Sequence, residues 1–356
     1  MNVEPSERHE PRVSIAIVAT NEQENIVGCL KALDKLLYRN FNVIICENGG
    51  PDAFARDIEE VSGIAGIREA PAGPSPVLPG VAEERGLRIG ADGRTVRVLR
   101  AGANLGYSGG VNACIAAADD DYDFIWVLNP DTFPEPDALG ALVRRQAEGG
   151  FGIVGSRLVY VGSNRVQMMG GLKYMPLLGR CRSLGLGAAL DETPDVEKVE
   201  ADLDIVSGAS MFVAKDYIKG VGVMDEDFFV YFEDSEWSMR RGSFRLGYAH
   251  DSVVRHIAGA KSGSDGARAE QSRFSLYLTE RNRVLIARKL HPRTWPVNAA
   301  ATFLTVSEYL IRFRSRRAFK IALGGWWAGV RGETGMPGFM RGRTVAAAAL
   351  YGRAPA

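Results

Sequence analysis

The chain is short of the residues that build disulfide scaffolds and metal clusters, with four cysteines and four histidines among 356 residues. Cys29, Cys46, Cys114 and Cys181 lie far apart and none belongs to a C-x-x-C pair. That spacing argues against a zinc knot or a secreted disulfide framework. Cys46 and Cys114 stand in apolar contexts, so buried thiols in a reducing compartment are expected. Also missing is any run of about eighteen apolar residues, the length a membrane-spanning helix needs. The longest candidate, Trp295 to Ile311, is interrupted by Asn298, Ser307 and Glu308. The first residues, MNVEPSERHEPR, lack the apolar core of a secretory signal, and a cytoplasmic location is the expectation. No internal repeat occurs, and no GxxxxGK[ST] loop, which disfavours a P-loop nucleoside triphosphatase.

What is present is a globular composition, with 24% charged and 46% hydrophobic residues. The formal charge balances at 43 basic and 43 acidic residues, yet it is unevenly spread. From Arg281 onward, 14 Lys and Arg face only Glu308 and Glu333, which leaves 29 basic against 41 acidic residues before that point. An acidic body with a basic end suits an anionic partner for that end.

Val13 to Ala19 (VSIAIVA) is a short β-branched apolar run and predicts a buried strand. Thr20 and Asn21 offer a cap, and Ile26, Leu30, Leu33 and Leu37 recur at helical spacing over 22–37. Phe41 to Cys46 reads as a second strand closed by ENGGPD. This strand, helix, strand alternation predicts a right-handed βαβ unit and a mostly parallel sheet, and it persists to about residue 150. Glu69 to Arg94, rich in Pro, Gly and charge, reads as a surface insertion or flexible loop, and 191–204 as an acidic surface loop. The chain from Thr279 on reads as helical, in two pieces split near Pro292 to Pro296.

In open α/β sheets ligands gather at the carboxyl ends of strands. Thr20 with Asn21, Glu47 with Asn48, and Asn129 with Asp131 fall at such ends. Glu47 there can accept from a pyrimidine N3–H or a ribose hydroxyl, although ENGGPD is also ordinary turn chemistry. Asn104 to Asn112 (NLGYSGGVN) places glycines where backbone approaches something closely, and tight helix–sheet packing explains that as well as a ligand does. Asp131 suits a hard divalent cation that bridges phosphates, and His256 can complete an Mn2+ or Mg2+ site.

The densest signal is FFVYFEDSEW, where Glu233 and Asp234 follow Phe228, Phe229, Tyr231 and Phe232. Adjacent acids on an aromatic wall suit removal of a proton from a poorly acidic hydroxyl. The same acids also fit the N-terminus of a helix reaching Arg241.

The ordered blocks VSIAIVATNEQENI, VIICENGG, NLGYSGGVN, WVLNPDT, SGASMFVAKD, DEDFFVYFEDSEWSMR, VVRHIAGAKS and YLTERNR resemble the family-2 glycosyltransferases, over roughly residues 12 to 290. Within that family they are most similar to the bacterial rhamnosyltransferase and galactofuranosyltransferase group.

That resemblance implies a nucleotide-sugar-binding GT-A-like α/β fold, a mostly parallel sheet flanked by helices, with a C-terminal helical extension. It implies inverting, metal-dependent transfer of a sugar, rhamnose from dTDP-rhamnose first, to a glycan or lipid-linked acceptor. A galactofuranosyl or other UDP-sugar transferase is the nearest alternative. A sugar-nucleotide pyrophosphorylase would need a Gly-rich, basic loop where this chain has ATNEQEN, and a non-catalytic nucleotide-sugar-binding protein is raised by Glu47 and Asn129, which depart from the family pattern. Carried over by motif, the catalytic base falls on Asp234 with Glu233 beside it, and the metal residues on Asp131 and His256. The nucleotide-sugar set falls on Thr20, Asn21, Glu47, Asn104, Gly106, Asn129, Asp131 and Arg281. The expected division is a flexible tail over 1–12, a catalytic domain over 13–290 with a nucleotide-sugar half (13–131) and an acceptor half (132–290), and a basic amphipathic extension over 291–356.

That extension interleaves Phe303, Leu304, Leu310, Ile311, Phe313, Phe319, Trp326 and Trp327 with Arg312, Arg314, Arg316, Arg317 and Lys320. Such a pattern suits peripheral contact with the inner face of the cell membrane, and equally a helix pair packed on the catalytic domain or on a second subunit of a homo-oligomer. No nucleic-acid partner is expected.

Overall fold

The computed structural model describes residues 10–64, 67–69, 78–257 and 271–340. The outer part of the expected N-terminal tail, the end of the VVRHIAGAKS block and residues 341–356 lie outside the described residues.

The first part of the chain begins as the hydrophobic pattern requires. Strand β1 (Val13–Ala19) runs into helix α1 (Gln23–Leu33), strand β2 (Phe41–Glu47) and helix α2 (Pro51–Ser62). A two-residue strand β3 (Arg68–Glu69) precedes β4 (Val81–Ile89) and β5 (Arg94–Ala101). Helix α3 (Gly106–Ala117), strand β6 (Phe124–Leu128), strand β7 (Thr132–Pro134) and helix α4 (Ala138–Gly149) complete it.

The second half holds β8 (Ile153–Tyr160), β9 (Val166–Met169), β10 (Gly171–Met175), β11 (Arg180–Ser183), α5 (Val196–Asp202), β12 (Ile205–Val206) and β13 (Ser210–Ala214). It continues through α6 (Lys215–Val221), α7 (Glu233–Met239) and β14 (Leu246–His256), then closes with α8 (Arg273–Leu290), α9 (Trp295–Ile311) and α10 (Arg316–Arg331).

One 11-stranded sheet has the order β3-β4-β5-β2-β1-β6-β13-β8-β14-β7, with β9 paired to β8. β5, β2, β1 and β6 pair in parallel, and β8 and β14 run the same way beyond the reversed strand β13. The central strands are buried on both faces, which is why they read as continuous apolar runs. Val13, Ile15, Ile17, Val43 and Ile45 pack one way against α1, α2 and α4 residues such as Leu30, Phe54 and Leu142. Ala16, Val18, Ile44 and Cys46 alternate to the other face, against Val111 and Cys114 of α3. A smaller sheet, β11-β10-β12, stands beside the main one.

Three sequence expectations are corrected. The charged segment ending at Arg94 is not all loop, because β4 pairs antiparallel with β5 along almost its full length. Its alternation puts charged residues on the solvent side of an edge region, a pattern that composition alone reads as loop. The acidic loop carries α5, capped by Asp195 accepting from the Lys198 N–H at 3.1 Å. The C-terminal region holds three helices, and the first starts at Arg273, six residues before Thr279, capped by Ser272.

Candidate active site

The strand ends meet at the carboxyl edge of the sheet, as the βαβ alternation requires. Glu47, the last residue of β2, is fully buried. Its carboxylate accepts from the Asn21 N–H at 3.0 Å and from the Gly49 N–H. Through these two N–H groups Glu47 ties the loop after β1 to its own turn. Asp57 of α2 faces it, and burial with the charge of Glu47 pushes the Asp57 carboxyl up to about 9, so Asp57 keeps its proton at neutral pH. Asn21 takes a left-handed backbone (φ 59°) in place of capping α1, and its side-chain oxygen accepts from Arg56. Thr20 is buried and lines an open cleft with Val18, Asn48, Asn104, Gly106, Tyr107 and Phe229.

The Gly-rich segment bounds that cleft for a packing reason. Gly106 has φ 73°, and a Cβ there would lie 2.2 Å from the Phe229 carbonyl oxygen. The Tyr107 N–H donates to the same oxygen at 2.6 Å. Asn104 accepts from the Gly106 N–H at 2.9 Å and so shapes the turn into α3. Close approach occurs as the glycines imply, but the approaching group is the aromatic loop.

That loop is the most strained backbone in the described chain. Phe229, Tyr231 and Phe232 all have φ between 65° and 71°, a region that costs a bulky residue on the order of 1–3 kcal/mol. Its carbonyls leave regular structure and need donors, and α8 supplies them. The Asn282 side-chain amide donates to Phe228 O at 2.9 Å, Val230 O at 2.9 Å and Tyr231 O at 2.7 Å. Arg281 donates to Phe228 O at 3.0 Å and Gly335 O at 2.6 Å, and its Nε to the Asn282 side-chain oxygen at 2.8 Å. Arg281, expected from the sequence to contact the nucleotide-sugar, is buried, and its hydrogen bonds go to backbone carbonyls and to Asn282. Burial pulls its pKa down to about 10. Phe228 and Phe229 are likewise buried, against Leu285 and Ile286 and against Phe274 and Leu278.

The clamped loop delivers Glu233 and Asp234 at the start of α7 in unlike surroundings. Asp234 accepts from the Gly208 N–H at 3.0 Å, the Ser235 N–H at 2.6 Å and the Ser235 hydroxyl at 3.1 Å. Burial raises its pKa while these donors pull it back. Glu233 has no comparable support, and its buried Oε2 has no hydrogen-bond partner. Burial and the neighbouring Asp234 push the Glu233 carboxyl up to about 8. Of the two, Glu233 is the one inclined to keep its proton, and Asp234 is the carboxyl better supplied with donors.

A turn the sequence marked only as Gly-containing joins these parts. In Ser207–Ala209, the Gly208 N–H holds Asp234, the Gly208 carbonyl accepts from the Tyr107 hydroxyl at 2.9 Å, and the Ala209 carbonyl accepts from the Asn129 N–H at 3.2 Å. A Cβ on Gly208 would sit 3.2 Å from Asp234. The signal for this turn was a glycine inside a strand pattern.

Beyond Asn129, Asp131 Oδ1 lies 3.3 Å from His256 Nε2, so two residues 125 apart in sequence come together. β7 pairs with the end of β14, which sets His256 opposite Thr132. His256 Nδ1 faces Gln167 Oε1 at 3.0 Å, which orients the ring. Among the described residues no group of three or more His, Cys, Asp or Glu is placed to hold a metal. A carboxylate beside an imidazole is a donor pair that suits a divalent ion arriving with a diphosphate.

Two outcomes follow from the clamp and the acid pair. Asn282→Leu removes the side-chain donor of the Val230 and Tyr231 carbonyls, while Phe228 O keeps Arg281, and is expected to lower stability by about 2 kcal/mol or more, read as a shift of the urea midpoint. Glu233 has a raised folded pKa, so its contribution to stability is complete below the ordinary carboxylate range and is lost as pH rises towards about 8. The melting temperature of the parent should accordingly fall between pH 5 and pH 8.5 by more than that of Glu233→Gln. Parallel pH profiles of the two proteins would contradict this titration.

Comparison with known proteins fits this arrangement. Residues 85–194 match the family described as Glycosyl transferase family 2. Over 201 residues the chain is 26% identical to the low-salt glycan biosynthesis hexosyltransferase Agl10 of Haloferax volcanii, a match covering 56% of this chain and 62% of that protein. The chain thus spans less than two thirds of its curated relative. Among solved structures it is similar to the mannosyltransferase PcManGT from Pyrobaculum calidifontis in complex with GDP-Man and Mn2+, at 14% identity and a TM-score of 0.51, covering 92% of this chain and 90% of that one. It is also similar to S. aureus TarS 1-349 in complex with UDP-GlcNAc, at 12% identity and a TM-score of 0.50, covering 90% and 81%. At such identities the structural likeness speaks for fold alone. The chain has a GT-A-like fold and carries, over residues 85–194, a match to glycosyltransferase family 2.

Proposed function

We propose that this protein is an inverting glycosyltransferase that moves a sugar from a nucleotide donor to a hydroxyl of a glycan or lipid-linked acceptor. The observation that carries the reading is the divided acid pair, held by the Ser207–Ala209 turn that also binds the strand end at Asn129. Thr20, Asn48, Asn104 and Gly106 line the cleft offered to the donor. The sequence blocks favour dTDP-rhamnose, with UDP-sugars as the alternative.

In this reading Asp234 takes the acceptor hydroxyl proton as that oxygen bonds to the anomeric carbon. The bond from the anomeric carbon to the diphosphate oxygen breaks on the opposite face, and the electron pair leaves with the nucleotide. Glu233 stays neutral, so Asp234 takes up the proton without a second charge at its side. Asp131 and His256 would hold an Mn2+ or Mg2+ ion, which when bound supplies positive charge against the diphosphate. Glu47 and Asp57 keep the loops after β1 and β2 in place around the cleft.

Asp234→Asn is expected to lower transfer by about 10²–10⁴-fold. Donor binding by calorimetry should stay nearly unchanged, since Asp234 does not touch the nucleotide in this mechanism. Near-normal turnover in the folded variant removes Asp234 from the base role. Asp131→Ala and His256→Ala should each weaken Mn2+ binding measured by electron paramagnetic resonance in the presence of dTDP, and unaltered binding in both would remove the metal assignment. Protection against thermal unfolding by dTDP-rhamnose, UDP-galactofuranose and other donors ranks the donor directly.

A further inference from the structure

The C-terminal layer is unlike the rest of the surface. On its inner face α9 buries Asn298, Ala299, Thr302, Thr305, Val306 and Tyr309. On its outer face Val297, Leu304 and Ile311 recur every seven residues and are 58%, 70% and 77% exposed. Two helical turns separate each from the next, so they form one line along the helix. Scattered exposed leucines are ordinary, but an apolar line along three or more turns marks a contact surface.

A second element extends that line. The tip between β10 and β11 presents Leu177 and Leu178, 54% and 49% exposed. It is fastened to α9 by the Asn298 amide donating to Pro176 O at 2.7 Å, and Arg180 from the same hairpin binds Glu308 at 2.9 Å. The hairpin and the helix therefore present their apolar residues as one body.

Charge collects at the far end. Arg312, Arg314, Arg316, Arg317 and Lys320 are exposed over the junction of α9 and α10. Among the described residues none of the five has a carboxylate within ion-pair distance, whereas most arginines in the body of the protein do. Trp327 of α10 is also exposed, beside Trp326.

We infer that the outer face of α9, the β10–β11 tip and the Arg312–Lys320 cluster form a docking surface for an anionic lipid bilayer. Apolar side chains that enter the acyl boundary and arginines that meet lipid phosphates are the two parts such a surface needs. A second copy of this chain fits less well. The same surface on a second copy carries five further cations, and its carboxylate Glu308 is already engaged by Arg180. The inference stands on the surface alone and does not depend on the transferase reading.

The test uses the full chain and sedimentation with vesicles of phosphatidylglycerol mixed with phosphatidylcholine. Binding should be clear at low salt, weaken as salt rises, and be absent with phosphatidylcholine alone. Arg316→Gln with Arg317→Gln should weaken binding roughly thirtyfold, at about 1 kcal/mol per charge. Leu304→Glu with Ile311→Glu should abolish it, and both residues are exposed enough for the fold to tolerate the change, checked by circular dichroism. Should the glutamate pair not fold, the arginine pair still decides. The inference is overturned if the parent ignores the anionic vesicles, or if either folded variant binds as well as the parent. It is also overturned if light scattering shows a dimer that Leu304→Glu splits, because the face is then covered by a second copy.

Discussion

The site depends on finding donors for the carbonyls of a left-handed aromatic loop. Three bulky residues, Phe229, Tyr231 and Phe232, hold positive φ, which no sequence adopts without compensation elsewhere. Compensation comes from both sides. Asn282 and Arg281 of α8 take the carbonyls of Phe228, Val230 and Tyr231, and the N-terminus of α3 takes that of Phe229. The nucleotide half and the C-terminal helices are thereby joined through one loop, whose end sets the direction of Glu233 and Asp234. Gly106 belongs to the same constraint, since any side chain there would meet the loop backbone.

The acid pair shows how neighbours in sequence acquire different chemistry. Both carboxyls are removed from water, which disfavours charge on each. Asp234 is eased by the N–H groups of Gly208 and Ser235, whereas Glu233 has one lowering backbone hydrogen bond against burial and the repulsion of Asp234. Two carboxylates in one pocket cannot both ionise cheaply, so the better-supported one is the easier to ionise. The Ser207–Ala209 turn is what makes that choice, and it also binds Tyr107 and Asn129, so donor cleft and acid pair share a frame.

Much of the fold was legible because buried parallel strands and amphipathic helices leave periodic marks. The runs at Val13, Phe41 and Phe124, and the alternation between them, map onto β1, β2 and β6 as read. Glu69 to Arg94 was misread because β4 carries Glu83, Glu84, Arg85, Gly86 and Arg88 within nine residues, a composition that looks like loop. The helix α8 was started late because its first turn, Arg273 to Leu276, precedes any strong apolar stripe and is marked mainly by its Ser272 cap.

Sequence by itself determined the class of fold, the order of the motifs and the pairing of Glu233 with Asp234, since these rest on local pattern and spacing. It also marked Asp131 and His256 as partners, although only β14 running alongside β7 brings them to 3.3 Å. The tertiary structure alone decided that Arg281 serves the backbone, that Glu47 is enclosed by N–H groups, and that Glu233 and not Asp234 lacks support. The reason is physical. Residue type states what a group can donate or accept, but which donor reaches it, and how much water remains beside it, depends on segments far away in the chain.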